Sequence, residues 1–366
     1  MLIDLFYPYV PRECIEEVSD TLRSRFVGQG PKVELFEKAF SEKFNVPYVV
    51  SLNSGTSALD TAYDLVGLKE GDEVITTPLT CTATNLPLIR RGVKLIWADV
   101  DNTLCIDPID VLKKITNRTK AIVQVHLGGI PAHVSELSEL ELTNSHTGRH
   151  IPVISDAAQG LGIFTGNYTC CSFQAIKHIT TGDGGMLVCD TERHRNEARL
   201  LRWFGIDRQK KIKNNWQAYT QRAMTFDIQL PGTKRHMNDI AASMGIASLV
   251  HYDEVMEYRR KIFNIYKTEL SKISSGIKLV DAPGNTHWLA TVLVERRDDF
   301  ARMMFEADID TNLVQVRNDI YKVFGGVRQD LPMMNELEDK YLSIPLNMRV
   351  SEDDAFYITR KIAGGW

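Results

Sequence analysis

From residue 48 onward, short apolar runs alternate with stretches of helical periodicity. YVVSL (48–52), EVITT (73–77), VKLIWADV (93–100), AIVQVHL (121–127) and IPVISDA (151–157) carry β-branched and apolar residues at consecutive positions. That is the pattern of strands covered on both faces. TSALDTAYDLV and IDVLKKIT supply the helical spacing between them. This βαβ rhythm predicts a largely parallel, doubly covered sheet. Upstream, Ile15, Val18, Leu22 and Phe26 form an apolar stripe on a helix over 13–26, and a Gly/Pro turn in GQGPK opens a second helix striped by Val33, Phe36, Phe40 and Phe44. Near residue 250 the rhythm changes. LVHYDEVMEYRRKIFNIYKTELSKI reads as one long helix, followed by sparser strands and helices. The pattern divides the chain into a large α/β domain, 1–250, and a smaller C-terminal α+β domain, 251–366.

Composition narrows the possible partners. The 366 residues are 43% hydrophobic and 25% charged, with a net charge of -4. No basic field exists to attract a nucleic-acid backbone or an anionic membrane. No apolar stretch reaches the roughly 18 residues of a membrane span, and the opening MLIDLFYPYVPREC lacks the basic and apolar regions of a secretory leader. The six cysteines (14, 81, 105, 170, 171, 189) form no CxxC pair or zinc spacing. Reduced thiols in a cytoplasmic protein are expected.

Three segments carry candidate chemistry. In VSLNSGTSALDTA a strand runs into a small-residue turn, Asn53-Ser54-Gly55-Thr56, and then a helix. Free amides at such a helix start favour an anion, and glycine permits close approach; the same residues also suit an ordinary N-cap. Neither GxGxxG nor GxxxxGK[ST] occurs, so a small phosphate fits better than a dinucleotide or nucleoside triphosphate. In IPVISDAAQGLG, Asp156 ends a strand, where α/β sheets bind ligands, or where an Asp simply caps a turn. In SFQAIKHITTGDGGMLV, Lys177 lies between an apolar run and a tight turn into a further strand. Desolvation there lowers an amine's pKa and makes it a nucleophile or base, whereas most lysines are solvated. Together the three supply an anion site, a carboxylate for a ring nitrogen and an amine, the needs of pyridoxal 5′-phosphate (PLP).

The chain resembles the DegT/DnrJ/EryC1/StrS aminotransferases over nearly its whole length. The resemblance runs through GQGPKVELFEKAF, VSLNSGTSAL, GDEVITTP, AIVQVHLGGIPAHV, VISDAAQGLG, SFQAIKHITTGDGG, RWFGIDR, LPGTKRHMNDIAASMGIASL and SIPLNMRVSEDD. It implies a fold-type I PLP-dependent transferase whose large domain binds the cofactor. Lys177 would be the Schiff-base lysine and proton carrier, and Asp156 would pair with the pyridinium nitrogen. Gln159 would bond near the ring hydroxyl. Ser54, Gly55, Thr56 and Ser172 would form the phosphate site. Lys234 would reach the partner's cofactor phosphate across a homodimer with shared active sites.

The activity implied is transfer of an amino group from L-glutamate to a nucleotide-linked keto-sugar, a 4-keto-6-deoxyhexose of the perosamine or viosamine type. Candidate sugar-diphosphate contacts are Lys234, Arg235 and Arg317, with an Arg317–Asp319 loop ion pair as the competing reading of the last. His287 and Trp288 suit either stacking on sugar or base or burial in a core, and His126 suits either proximity to the ring or a structural place. Three positions depart from the family pattern. Cys81 stands where an aromatic usually covers the pyridine face, and Thr233 and Arg235 replace tyrosines flanking Lys234. The alternatives are a PLP-dependent sugar dehydratase on the same scaffold, some of which carry His at the lysine position, and a non-catalytic regulatory homologue. Here the lysine is kept and His178 is only its neighbour.

Overall fold

The computed structural model describes residues 2–138, 141–144, 147–207, 228–273 and 276–366. Its described helices and strands run α1 (Glu13–Ser24), α2 (Pro31–Phe44), β1 (Val49–Leu52), α3 (Gly55–Val66), β2 (Glu73–Thr76), α4 (Thr82–Ile89), β3 (Lys94–Trp97), α5 (Pro108–Lys113), β4 (Thr119–Val125), β5 (Val153–Asp156), β6 (Tyr168–Ser172), β7 (Gly185–Cys189), α6 (Glu192–Leu201) and α7 (Asp239–Val250). The C-terminal part adds α8 (Tyr252–Leu270), β8 (Ile277–Leu279), β9 (Ala290–Val294), α9 (Arg297–Glu306), α10 (Pro332–Leu337), β10 (Tyr341–Ile344) and α11 (Glu352–Ala363).

Strands β1 to β7 form the large sheet, whose order is β1-β7-β6-β5-β4-β2-β3. Only β7 runs against its neighbours; the other pairings are parallel. The central strands are buried along their length because helices cover both faces. One face packs on α3 through Leu59, Ala62 and Tyr63. The other packs on α2 and α7 through Phe36, Phe40, Phe173 and Ala242. A smaller antiparallel sheet, β10-β9-β8, packs on α8, α9 and α11.

Several sequence expectations change. The stripe Ile15, Leu22 and Phe26 faces outward, at 67%, 48% and 51% exposure. The inner face of α1 is instead Cys14 and Thr21, which meet Ser248 and Ser243 of α7. Small residues let these two helices approach closely, so they need no apolar seam. The long helix expected around residue 250 breaks at His251 (φ −90, ψ 3) into α7 and α8. Residues 3–5, counted in the large domain, lie on the C-terminal unit: Ile3 exchanges backbone bonds with Asp308 and Asp310, and Asn347 Nδ2 donates to Asp4 O at 2.8 Å.

The two parts share a core. The cluster of Ile75, Trp97, Ile106 and Ile122 continues into Val280, Leu331, Met334 and Tyr341. Polar cross-ties reinforce it. Asp99 accepts the Met333 and Met334 amides at 2.9 Å each. The fully buried Asn318 donates through its backbone to Pro78 O and through Nδ2 to Thr80 O, both at 2.7 Å. An interface this apolar resembles a domain interior more than a hinge.

Candidate active site

Strand register assembles the site. Ser172 pairs with Gly185, and Gly185 pairs with Leu52. Asp156 pairs with Cys170, two residues before Ser172. Three chain segments therefore meet at one edge of the sheet. A Cβ at Gly55 would fall 2.8 Å from Ser172 Cβ, and one at Gly185 would fall 2.3 Å from Ser54 O. Glycine is required at both places for steric reasons.

Ser54 caps α3 in extended geometry, its Oγ accepting the Ser57 amide at 3.0 Å. The Gly55 and Thr56 amides carry no protein partner among the described residues. They lie at the positive end of a 12-residue helix beside Ser172. This is an anion cradle backed by a hydroxyl.

Asp156 is buried at 5% exposure. One carboxylate oxygen accepts Thr84 Oγ1 at 2.7 Å and the other accepts the Ala158 amide at 3.0 Å. Thr84 is itself fixed, with Oγ1 2.8 Å from Thr80 Oγ1 and its carbonyl accepting Tyr63 OH. Burial raises the Asp156 pKa, opposed by Thr84, the Ala158 amide and the charge of Lys177.

Lys177 is partly exposed on a loop between β6 and β7 that is bonded to itself through Phe173, Gln174, Thr181 and Gly184. Burial pushes its amine down to about 8, against the upward pull of Asp156 and Cys81 and with a further downward push from Arg259. Its Nζ sits 3.9 Å from the ring centroid of Trp288. Cys81 is exposed at the start of α4. Gln159 Oε1 accepts the Gly128 amide at 2.7 Å. Lys234 is exposed, on a segment that extends the end of β1 through the Leu52–His236 bridge and Asn53 N–Arg235 O.

The remaining candidates are committed elsewhere. Arg235 lies between Asp60 and Asp64, at 2.6 Å from each, alongside Arg91. Arg317, at 3% exposure, grips Asp319 at 2.8 and 2.6 Å and also meets Glu338 and Asn335. Neither guanidinium is available for a diphosphate, so the ion-pair reading of Arg317 replaces the substrate reading. His287 packs its ring on Phe263 at 4.5 Å, with φ at +54. That favours a core place over stacking on a ligand. His126 accepts the Ala132 amide at Nδ1 and meets Thr165 at Nε2; burial holds its pKa near 3. His178 is buried and donates Nε2–H to Thr286 O at 2.9 Å, also held near 3 by burial.

Sequence reasoning missed Thr84 and Asn318 and left Trp288 undecided. A hydroxyl four residues after Thr80 in TCTAT was the only signal for Thr84; nothing local marked Asn318.

The residues fit PLP: unbonded amides and a serine for phosphate, a buried hydroxyl-held carboxylate, and a desolvated lysine within its electrostatic reach. Comparison with known proteins agrees. Residues 8–363 match the DegT/DnrJ/EryC1/StrS aminotransferase family. The chain is 32% identical to the spore coat polysaccharide biosynthesis protein SpsC of Bacillus subtilis, covering 95% of this chain and 92% of that protein. It is 27% identical to GDP-perosamine synthase of Escherichia coli O157:H7, covering 98% and 97%. Among solved structures it superposes on the sugar aminotransferase CalS13 from Micromonospora echinospora with a TM-score of 0.91, at 30% identity and full coverage of both chains. It superposes on Spr1654 from Streptococcus pneumoniae, solved in a PLP form, with a TM-score of 0.86 at 25% identity, covering 100% and 98%. The sheet order, the site and these matches together place the chain in the DegT/DnrJ/EryC1/StrS aminotransferase family, with the fold-type I architecture.

Proposed function

We propose that the protein is a PLP-dependent aminotransferase that moves an amino group from L-glutamate to a nucleotide-linked 4-keto-6-deoxyhexose. The observation that carries this reading is the desolvated Lys177 amine coupled to Asp156 beside the Gly55–Thr56 amide cradle. When bound, PLP supplies a carbonyl that captures amines and a ring that accepts an electron pair.

The chain's own groups do the rest. The Gly55 and Thr56 amides and Ser172 Oγ would hold the phosphate. Asp156, kept in place by Thr84 and the Ala158 amide, would pair with the ring nitrogen. Lys177 would hold the cofactor covalently and, when its amine is free, would take up and return a proton at Nζ; a pKa near 8 suits both directions. His178, buried and bonded to Thr286 O, is committed to the fold, which argues against the dehydratase alternative.

The outward apolar stripe of α1 and the exposed Lys234 support a homodimer in which each copy completes its partner's site. The six cysteines are free thiols, and no helix among the described residues is long and apolar enough to cross a membrane. A cytoplasmic enzyme fits both. The GDP-perosamine synthase relative supports the sugar class. A panel of GDP-, dTDP- and UDP-linked 4-keto-6-deoxysugars with L-glutamate, read by mass spectrometry, tests it. One of them gains an amine if the reading holds. Amination of only a 3-keto or non-nucleotide sugar overturns the substrate class.

A further inference from the structure

Trp288 sits under the reactive lysine, and its surroundings fix it there. The ring is 1% exposed. Its Nε1–H donates to the carbonyl of Ile176, the residue before Lys177, at 3.1 Å. Phe6 packs on the indole at 5.6 Å. Arg259, itself buried, donates Nη1 to the carbonyls of His287, Trp288 and Leu346. The indole is thus tied on its backbone, on its ring nitrogen and against an aromatic neighbour, and Lys177 Nζ lies 3.9 Å from its centroid.

We propose that Trp288 is a positioning residue: its ring face is the seat on which the Lys177 ammonium rests whenever the amine is not bonded to the cofactor. This rests on Lys177 being the cofactor-bearing lysine. An indole face attracts a cation most strongly where water is thin. Burial alone would expel the charge, and Arg259 repels it; Asp156 and Cys81 act in the opposite sense. The seat gives the ammonium a defined place despite the rotamer freedom of its four-carbon stem. Whenever Lys177 is free of the cofactor, its side chain would have a nearby place from which to return.

The sign is fixed. A seat for the ammonium raises the amine's pKa, so removing the ring face lowers it. The test uses full-length apoprotein. The rate at which it captures added PLP is followed by absorbance from pH 6 to 10, and borohydride reduction with peptide mass spectrometry locates the adduct. Trp288→Met, which fills space without a π face, is expected to move the midpoint of the rate profile down by about one pH unit. Trp288→Phe, which keeps a smaller face, moves it less. Turnover falls more than substrate KM rises. A midpoint that stays put or rises in Trp288→Met overturns the seat, since loss of packing alone would admit water and raise it.

If Trp288→Met does not fold, wild-type tryptophan emission decides. It titrates with the same midpoint as PLP capture and loses that titration in Lys177→Met; absence of such a titration overturns the seat. An adduct on a residue other than Lys177 refutes the cofactor assignment instead, so the two failures are distinct.

Discussion

The Thr84 hydroxyl donates to the buried carboxylate of Asp156 at 2.7 Å, and the same hydroxyl is tied to Thr80. A hydrogen bond to a buried charge contributes about 1.5–3 kcal/mol. Thr84→Val, close in shape but without the donor, is expected to lower kcat roughly tenfold or more while leaving the fold intact. Thr84→Ser should restore most of it. Asp156→Asn should reduce turnover more than cofactor retention. Steady-state kinetics beside cofactor content measures both, and unchanged turnover in Asp156→Asn would remove its proposed role.

The proposed covalent anchor is Lys177. Borohydride reduction of the holoenzyme should fix the cofactor on the peptide spanning 173–184. Lys177→Ala should lose about 10²–10⁴-fold in turnover, the range of a lost general acid–base. A variant with near-native turnover would require another residue in both tasks.

At Gly55 the issue is steric. A Cβ there meets Ser172 Cβ at 2.8 Å. Gly55→Ala should cost about 1–3 kcal/mol through overpacking and weaken PLP binding. Adding Ser172→Gly should recover stability without recovering full affinity, because the hydroxyl is then missing. Thermal melts and PLP titration separate the two effects; equal recovery of both would mean that Ser172 gives the phosphate nothing.

Arg317 and Arg235 act in folding. Arg317→Ala strands Asp319 and Glu338, and breaking a buried pair typically loses about 3–5 kcal/mol. A large fall in Tm is expected, with KM for the nucleotide sugar unchanged per folded molecule. A raised KM at native stability would return Arg317 to the substrate site.

Acid should unfold the protein through its buried imidazoles. His126 and His178 are held neutral by burial, near 3, against about 6.5 in an unfolded chain. A depressed pKa contributes stability that is full above pH 6.5 and is lost as pH falls towards 3. Each imidazole then adds about 1.4 kcal/mol per pH unit to the slope. His178→Gln should flatten the pH 6 to 4 stability slope by one such increment in denaturant titrations. An unchanged slope contradicts the buried neutral assignment.

How much of this was readable in advance depended on how local each signal is. The parallel strands were plain because burial on both faces demands unbroken apolar runs. β6 was not, because Tyr168–Ser172 reads YTCCS, small and polar yet buried. α4 was hidden by its threonines, Asn85 and Pro87. The periodicity of α1 named a helix correctly but said nothing of direction, since its inner partner is a row of serines on α7. Lys177, Asp156 and the Ser54–Thr56 turn lie at strand ends and could be suspected from order along the chain. The partners of Arg235 sit some 170 residues away, at Asp60 and Asp64, and no local pattern reveals such a pair.

The rung Leu52–Gly185–Ser172 has a consequence for how this scaffold can diversify. It joins the loop that bears the lysine to the turn that bears the anion cradle through main-chain pairing alone. The spacing between the proposed covalent anchor and the proposed phosphate site is therefore independent of most side chains around it. Exposed side chains around it, Cys81 among them, are free to drift in identity while this backbone geometry is inherited unchanged.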